Sequence, residues 1–182
     1  EYGVSTQSTG GINAEYGEQM ADQQVDLQME DRVDLQRESS VVEKMATLNP
    51  NVAYMIRSIT NPNQQLELPD NSYDENQPLI LGNIVGDSNQ CFKFSKDAYY
   101  QYTITACQNN MHIVQLKPGK GQLVVQKTPE STKWEIIQAA DGSYQIRVFA
   151  TYTYWQLTDI GEVITVTKNN QPNQQWALIP VK

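Results

Sequence analysis

From residue 51 to residue 182 the sequence predicts an all-β fold, a closed barrel capped by hairpins with pseudo-threefold symmetry. Two observations carry that prediction. Phe92 in "SNQCFKF", Trp134 in "STKWEII" and Trp176 in "NQQWALI" stand 42 and again 42 residues apart, and the pairs Tyr102–Tyr144 and Ile104–Ile146 repeat the step. Between them lie short stretches that alternate apolar and polar residues, as half-buried strands do, with no convincing helical period after residue 50. Three units of about four strands, about twelve in all, cannot bury their apolar faces singly and would leave open edges, so they must close on one another.

Taken in order, the first element is an acidic arm. Residues 1–50 hold ten acids against Arg32, Arg37 and Lys44, a net of -7, whereas residues 51–182 hold eleven acids and ten bases, a net of -1. The arm opens with a Gly/Ser/Thr-rich stretch of disorder-prone composition and then repeats "VDLQME" and "VDLQRE". Read as a helix from about Ala21 to Leu48, it sets Val25, Met29 and Val33 on one face and Val41, Met45 and Leu48 on another. Asn49-Pro50 would stop that helix, and a flexible leader is the alternative. A sparse apolar stripe of this kind suits docking on a partner chain, or self-association, through residues 21–48.

The first strand unit begins with "AYMIRS", 48 rather than 42 residues before its counterpart, which places about six extra residues in the loop "PDNSYDENQP". "YMIRSI", "YTITAC" and "YQIRVF" read as the opening strands of the three units, followed by "QLEL", "IVQL" and "YWQL" and then "LIL", "LVV" and "VITV". Turn clusters such as "KPGKG", "TDIG" and "NNQPNQ" separate them. All six Trp and Phe residues and both cysteines fall after residue 50. Cys91 and Cys107 are too few for a disulfide scaffold; one bridge and two free half-buried thiols both fit. A net charge of -8 speaks against nucleic acid, which requires a basic surface, and no apolar run approaches the length that would insert this chain in a membrane. The N-terminal stretch carries no secretion signal.

The repeated Gln-x-Trp followed by an apolar residue resembles the ricin-type β-trefoil lectin family. Gln174-Gln175-Trp176, preceded by Pro172-Asn173, is the best match; Gln90-Cys91-Phe92 is a conservative variant, and Thr132-Lys133-Trp134 has lost the glutamine. The resemblance covers residues 51–182 and none of the arm, and it implies a trefoil with Trp176 as a core aromatic and Gln174 bonded to buried backbone at the turn.

It also implies where a sugar would sit. An acid flanked by apolar residues accepts from sugar hydroxyls, a ring at the end of the next strand stacks on the sugar's apolar face, and an Asn precedes the signature Gln. The acid position reads Glu67, Gln115 and Gln156, and the amide position Asn89, Ser131 and Asn173. The ring position departs from the pattern, since "LILGNIV", "GQLVVQK" and "VITVTK" contain no aromatic residue. A ring from elsewhere would complete a site: Tyr73 beside Glu67 and Asn89 in the first unit, or Tyr152 or Tyr154 with Asp159 beside Gln156 and Asn173 in the third. Barrel packing is the plainer role for the Tyr-rich strand, and the second unit retains no site.

Catalysis finds little support. His112 is the only histidine, and no Gly-x-Ser-x-Gly elbow accompanies it. His112, Cys91 and Cys107 lack the spacing of a zinc site, and "KPGKG" lacks the order of a phosphate loop. No cofactor is expected. The resemblance thus points to a non-enzymatic glycan-binding protein, secreted or extracellular, serving as the targeting or accessory subunit of a toxin. The alternative is an assembly protein that has lost sugar binding and docks through its arm.

Overall fold

The computed structural model describes residues 43–69, 73–116, 121–128 and 132–182. Most of the expected helix from Ala21, and Ser131, lie outside those residues. Fourteen strands are formed: β1 (Lys44–Met45), β2 (Ala53–Ser58), β3 (Gln64–Glu67), β4 (Gln77–Pro78), β5 (Ile80–Asn83), β6 (Phe92–Lys96), β7 (Tyr102–Ala106), β8 (His112–Gln115), β9 (Leu123–Gln126), β10 (Trp134–Gln138), β11 (Tyr144–Val148), β12 (Thr153–Leu157), β13 (Val163–Thr167) and β14 (Trp176–Pro180). Setting aside β1 and β4 leaves the twelve strands expected, four per repeat.

The first and last strand of each repeat close a six-stranded barrel through the antiparallel pairings β14–β2, β2–β6, β6–β7, β7–β10, β10–β11 and β11–β14. The middle strands form three hairpins, β3–β5, β8–β9 and β12–β13. This is the β-trefoil. Alternation along the barrel strands puts every second side chain inside, and β2 and β7 show that pattern without interruption.

The interior is layered by the repeat. Phe92, Trp134 and Trp176 are completely buried in one core with Ile56, Ile104 and Ile146. Next to them Tyr54 meets Phe94 edge-on at 5.6 Å, and Phe94 meets Tyr102 at 6.3 Å. At the hairpin side, Trp155 stands edge-on to both Trp134 (5.3 Å) and Trp176 (6.1 Å), the geometry that aromatic quadrupoles favour. The indole N–H groups of Trp134 and Trp176 donate to the carbonyls of Ile113 and Trp155, at 3.0 and 3.4 Å.

Two additions break the threefold pattern. The first lies in the longer loop of the first repeat, where β4 pairs with β9 through Gln77↔Val125 and Pro78↔Val124. Pro78 is tolerated because β4 is an edge with a partner on one side only. The second corrects the helix expected to reach Leu48. Residues from Glu43 onward belong to the same compact unit as the barrel, and Lys44–Met45 is a strand paired with Gln138 and Ile137 of β10. Ala46 and Leu48 are buried in the barrel's own core. The Tyr102 hydroxyl donates to Ala46 O at 2.9 Å and accepts from Leu48 N at 3.1 Å, while the Tyr54 hydroxyl accepts from Asn49 N at 3.0 Å. This segment therefore crosses the barrel mouth, and its apolar residues are covered within the chain rather than free for a partner.

Candidate functional site

The best-organised polar groups lie where the turn before the last strand of a repeat meets the first hairpin strand. In the first repeat, the 3-10 turn Ser88–Gln90 buries Gln90. Its side-chain amide donates to Asn83 O at 2.6 Å and to Glu67 Oε2 at 2.8 Å. Its carbonyl oxygen accepts from Val85 N and Gly86 N at 3.1 and 3.0 Å and from the Gln65 amide. Every polar atom of a buried glutamine is thus used, as burial demands. Glu67 folds its carboxylate over Gly82, where any Cβ would collide with it. Asn89 is tied to the same place, with Leu68 N donating to Asn89 O at 2.9 Å and Asn89 Nδ2 donating to Leu68 O at 3.2 Å. The Asn89 Oδ1 is buried without a donor.

The third repeat rebuilds this node with amides alone. Buried Gln174, on the 3-10 turn Pro172–Gln174, donates to Thr167 O at 3.0 Å and to Gln156 Oε1 at 3.2 Å, and accepts from Asn169 N at 2.9 Å. Asn169 Nδ2 donates to Gln156 Oε1 at 2.8 Å and to Asn173 Oδ1 at 3.4 Å. Sequence reasoning brought Gln156 and Asn173 together but missed Asn169, which joins them. Its signal was the Asn169-Asn170 pair: the Asn169 side chain accepts from Gln171 N at 2.9 Å, an Asx turn, and Asn170 takes φ 56°. In the second repeat Thr132 replaces the glutamine, and Gln115 instead donates to Thr165 Oγ1 at 2.7 Å.

The residues opposite the acid position across each hairpin are Ile80, Leu123 and Ile164, so an aliphatic side chain stands there in every repeat. Of the rings considered as replacements, Tyr73 is exposed on the first-repeat loop, with no hydrogen bond or ring contact to Glu67 or Asn89 among the described residues. Tyr152 is also exposed, whereas Tyr154 is completely buried. Tyr154 serves an ion-pair cluster instead: its hydroxyl lies 3.1 Å from Arg147, which pairs with Glu135 at 2.5 Å and with Glu43 at 2.7 Å. Burial alone would lower the Arg147 pKa, but the hydrogen bonds to Glu135 and Tyr154 more than offset it and hold the guanidinium above its usual range.

Asp159 does not join the Gln156–Asn173 node. It stands on the exposed β12–β13 loop and lines a cleft of about 450 Å³ with Asn61, Gln64, Leu81, Ile160 and Glu162. Cys91 and Cys107 are free thiols, and burial raises both above the ordinary cysteine value, which makes them poor nucleophiles. On β8, burial and the nearby Lys133 charge push the His112 imidazole down, and its Nδ1 is buried without a partner. No group of three or more His, Cys, Asp or Glu side chains able to hold a metal occurs among the described residues. No helix there is long and apolar enough to cross a membrane.

No protein-family model matches the sequence, and no curated protein does. Solved structures do. A Macrolepiota procera ricin B-like lectin in complex with lactose is 14% identical with a TM-score of 0.61, over 74% of this chain and 99% of that one. A mosquitocidal holotoxin is 15% identical with a TM-score of 0.68, over 75% of this chain but only 18% of its own. An exo-β-1,3-galactanase from Clostridium thermocellum is 16% identical with a TM-score of 0.66, over 74% of this chain and 31% of that enzyme. The likeness thus spans the whole of a lectin and a minor part of a toxin and a glycosidase. At these identities it carries the fold alone: the chain has the β-trefoil fold of the ricin B-like lectins.

Proposed function

We propose that the chain is a non-enzymatic glycan-binding protein that recognises saccharides at the first- and third-repeat nodes. The observation that carries this reading is the pair of glutamine-centred nodes at Gln90 and Gln174, built in two repeats and missing from the second. Each fixes the donors and acceptors a sugar's hydroxyls require, Glu67 and Asn89 in one, Gln156, Asn169 and Asn173 in the other. With aliphatic side chains at the ring position, affinity rests on hydrogen bonds rather than stacking, so binding is weak and specificity differs from that of ring-bearing sites. Such a module suits the targeting or accessory part of a larger extracellular assembly, toxin-like or glycan-degrading. Of the segment 21–48, the part before Glu43 is the one we propose to meet a protein partner or a second copy of the chain.

A glycan array of the full chain, run beside Glu67→Ala and Asn173→Ala, tests the reading. The wild type should bind a defined glycan set, each variant should lose the share of its own node, and the double variant should lose about tenfold or more in apparent affinity, the scale of one well-made polar contact to a ligand. Absence of any glycan signal would favour an assembly role for the trefoil, and binding untouched by either variant or by both together would overturn the choice of the two nodes.

A further inference from the structure

The cleft that Asp159 lines is a separate place, between the third repeat and the first. Each hairpin loop leans on the next repeat around the pseudo-threefold axis. The β3–β5 loop adds β4 to β9, the β8–β9 loop sets Gln122 against Ile164, and the β12–β13 loop sets Glu162 against Ile80. The last loop, residues 158–162, is the shortest of the three. At the junction of the first two repeats β4 pairs with β9; at the junction of the third with the first, beside the short loop, lies a cleft of about 450 Å³. That volume falls within the range of small-molecule sites, about 300–1,000 Å³.

Both walls are held by local hydrogen bonds. Thr158 N donates to Glu162 O at 2.9 Å, Gly161 N to Thr158 O at 3.1 Å and Glu162 N to Thr158 Oγ1 at 3.1 Å, with Gly161 at φ +82°. That closed turn holds Asp159 exposed and leaves Ile160 80% exposed at its tip. Across the cleft Asn61 Nδ2 donates to Gln64 Oε1 at 2.6 Å, so the two amides are set relative to each other. Among the described residues no cation pairs with Asp159 or Glu162, and the Glu162 carboxylate accepts from the Gln122 amide at 3.4 Å.

We propose that this cleft is a third saccharide site, distinct from the two nodes and formed between repeats rather than within one. Its chemistry is that of a polyhydroxylated ligand. The carboxylates of Asp159 and Glu162 accept from sugar hydroxyls, the Asn61 and Gln64 amides supply donors and acceptors, and Ile160 and Leu81 cover the C–H face. The site takes Gln64, Ile80 and Leu81 from the first-repeat hairpin but none of Glu67, Asn89 or Gln90. It rests on the reading that the chain binds saccharides, and the test separates the two.

The ¹⁵N-labelled full chain is titrated with lactose and with chitotriose while backbone amides are followed by NMR. Saturable shifts are expected at Ile160, Gly161 and Gln64. They should weaken about tenfold or more in Asp159→Ala and in Ile160→Ser, and persist in Glu67→Ala. Both cleft substitutions lie on an exposed turn tip, and an unchanged melting temperature confirms that the fold is intact. Shifts confined to residues 83–90 and 167–174 would overturn the cleft while leaving the nodes standing. No saturable shift with either probe would overturn the cleft and weigh against saccharide binding altogether.

Discussion

Gly82 is glycine because Glu67 occupies the room its side chain would take. Gly82→Ala should evict the carboxylate and break its hydrogen bond from Gln90. The obstructing atoms are the end of a flexible side chain, so the cost to stability is about 1 kcal/mol, the net worth of one hydrogen bond. Paired with Glu67→Ala, the glycine substitution should add almost nothing, because the two share one cause. A urea-denaturation cycle of the four proteins checks this, and fully additive losses would show that the residues do not compete for space. Other single residues were legible from spacing alone. Gln90, Gln174 and Trp176 stand out because a 42-residue step makes them recur. Gln65 and Asn169 were not, since their partners come from distant strands and turns that no local pattern encodes.

Strand β1 shows why the arm's end was misread. Val41, Met45 and Leu48 fit a helical stripe, and the sequence offers no local sign of the strand at β10 that captures Lys44 and Met45. Tertiary pairing overrode periodicity. The insertion was legible as extra length, whereas its role as β4 was not, because pairing with β9 depends on where the loop lands. Strand β1 and the residues after it also yield a sharp prediction. Deleting residues 1–42 should leave the melting temperature nearly unchanged. Deleting residues 1–49 removes buried Ala46 and Leu48 and three backbone partners of tyrosine hydroxyls, and should cost about 2–4 kcal/mol. Chemical denaturation of the two truncations measures the difference, and equal stabilities would mean that the mouth-crossing segment does not stabilise the barrel.

The molecule as a whole carries a single histidine, so its stability just below neutral pH reports on one position. Burial, reinforced by Lys133, depresses the His112 pKa in the folded state relative to its ordinary 6.5. Below 6.5 the unfolded chain therefore binds the proton more readily, and stability falls as pH drops from there toward the depressed folded value. His112→Gln should flatten that slope while leaving stability near pH 8 largely unchanged. Thermal melts across pH 5–8 check it, and an identical slope in the variant would assign the effect to carboxylates.

The C-terminal strand closes beside the point of entry: Val181 N donates to Ala53 O at 2.8 Å, and Asn49 sits under the Tyr54 hydroxyl. Both ends of the described barrel domain therefore lie against the same strand, β2. A tether at Lys182 would thus load β14 and its five-residue pairing with β2 before any other part of the barrel.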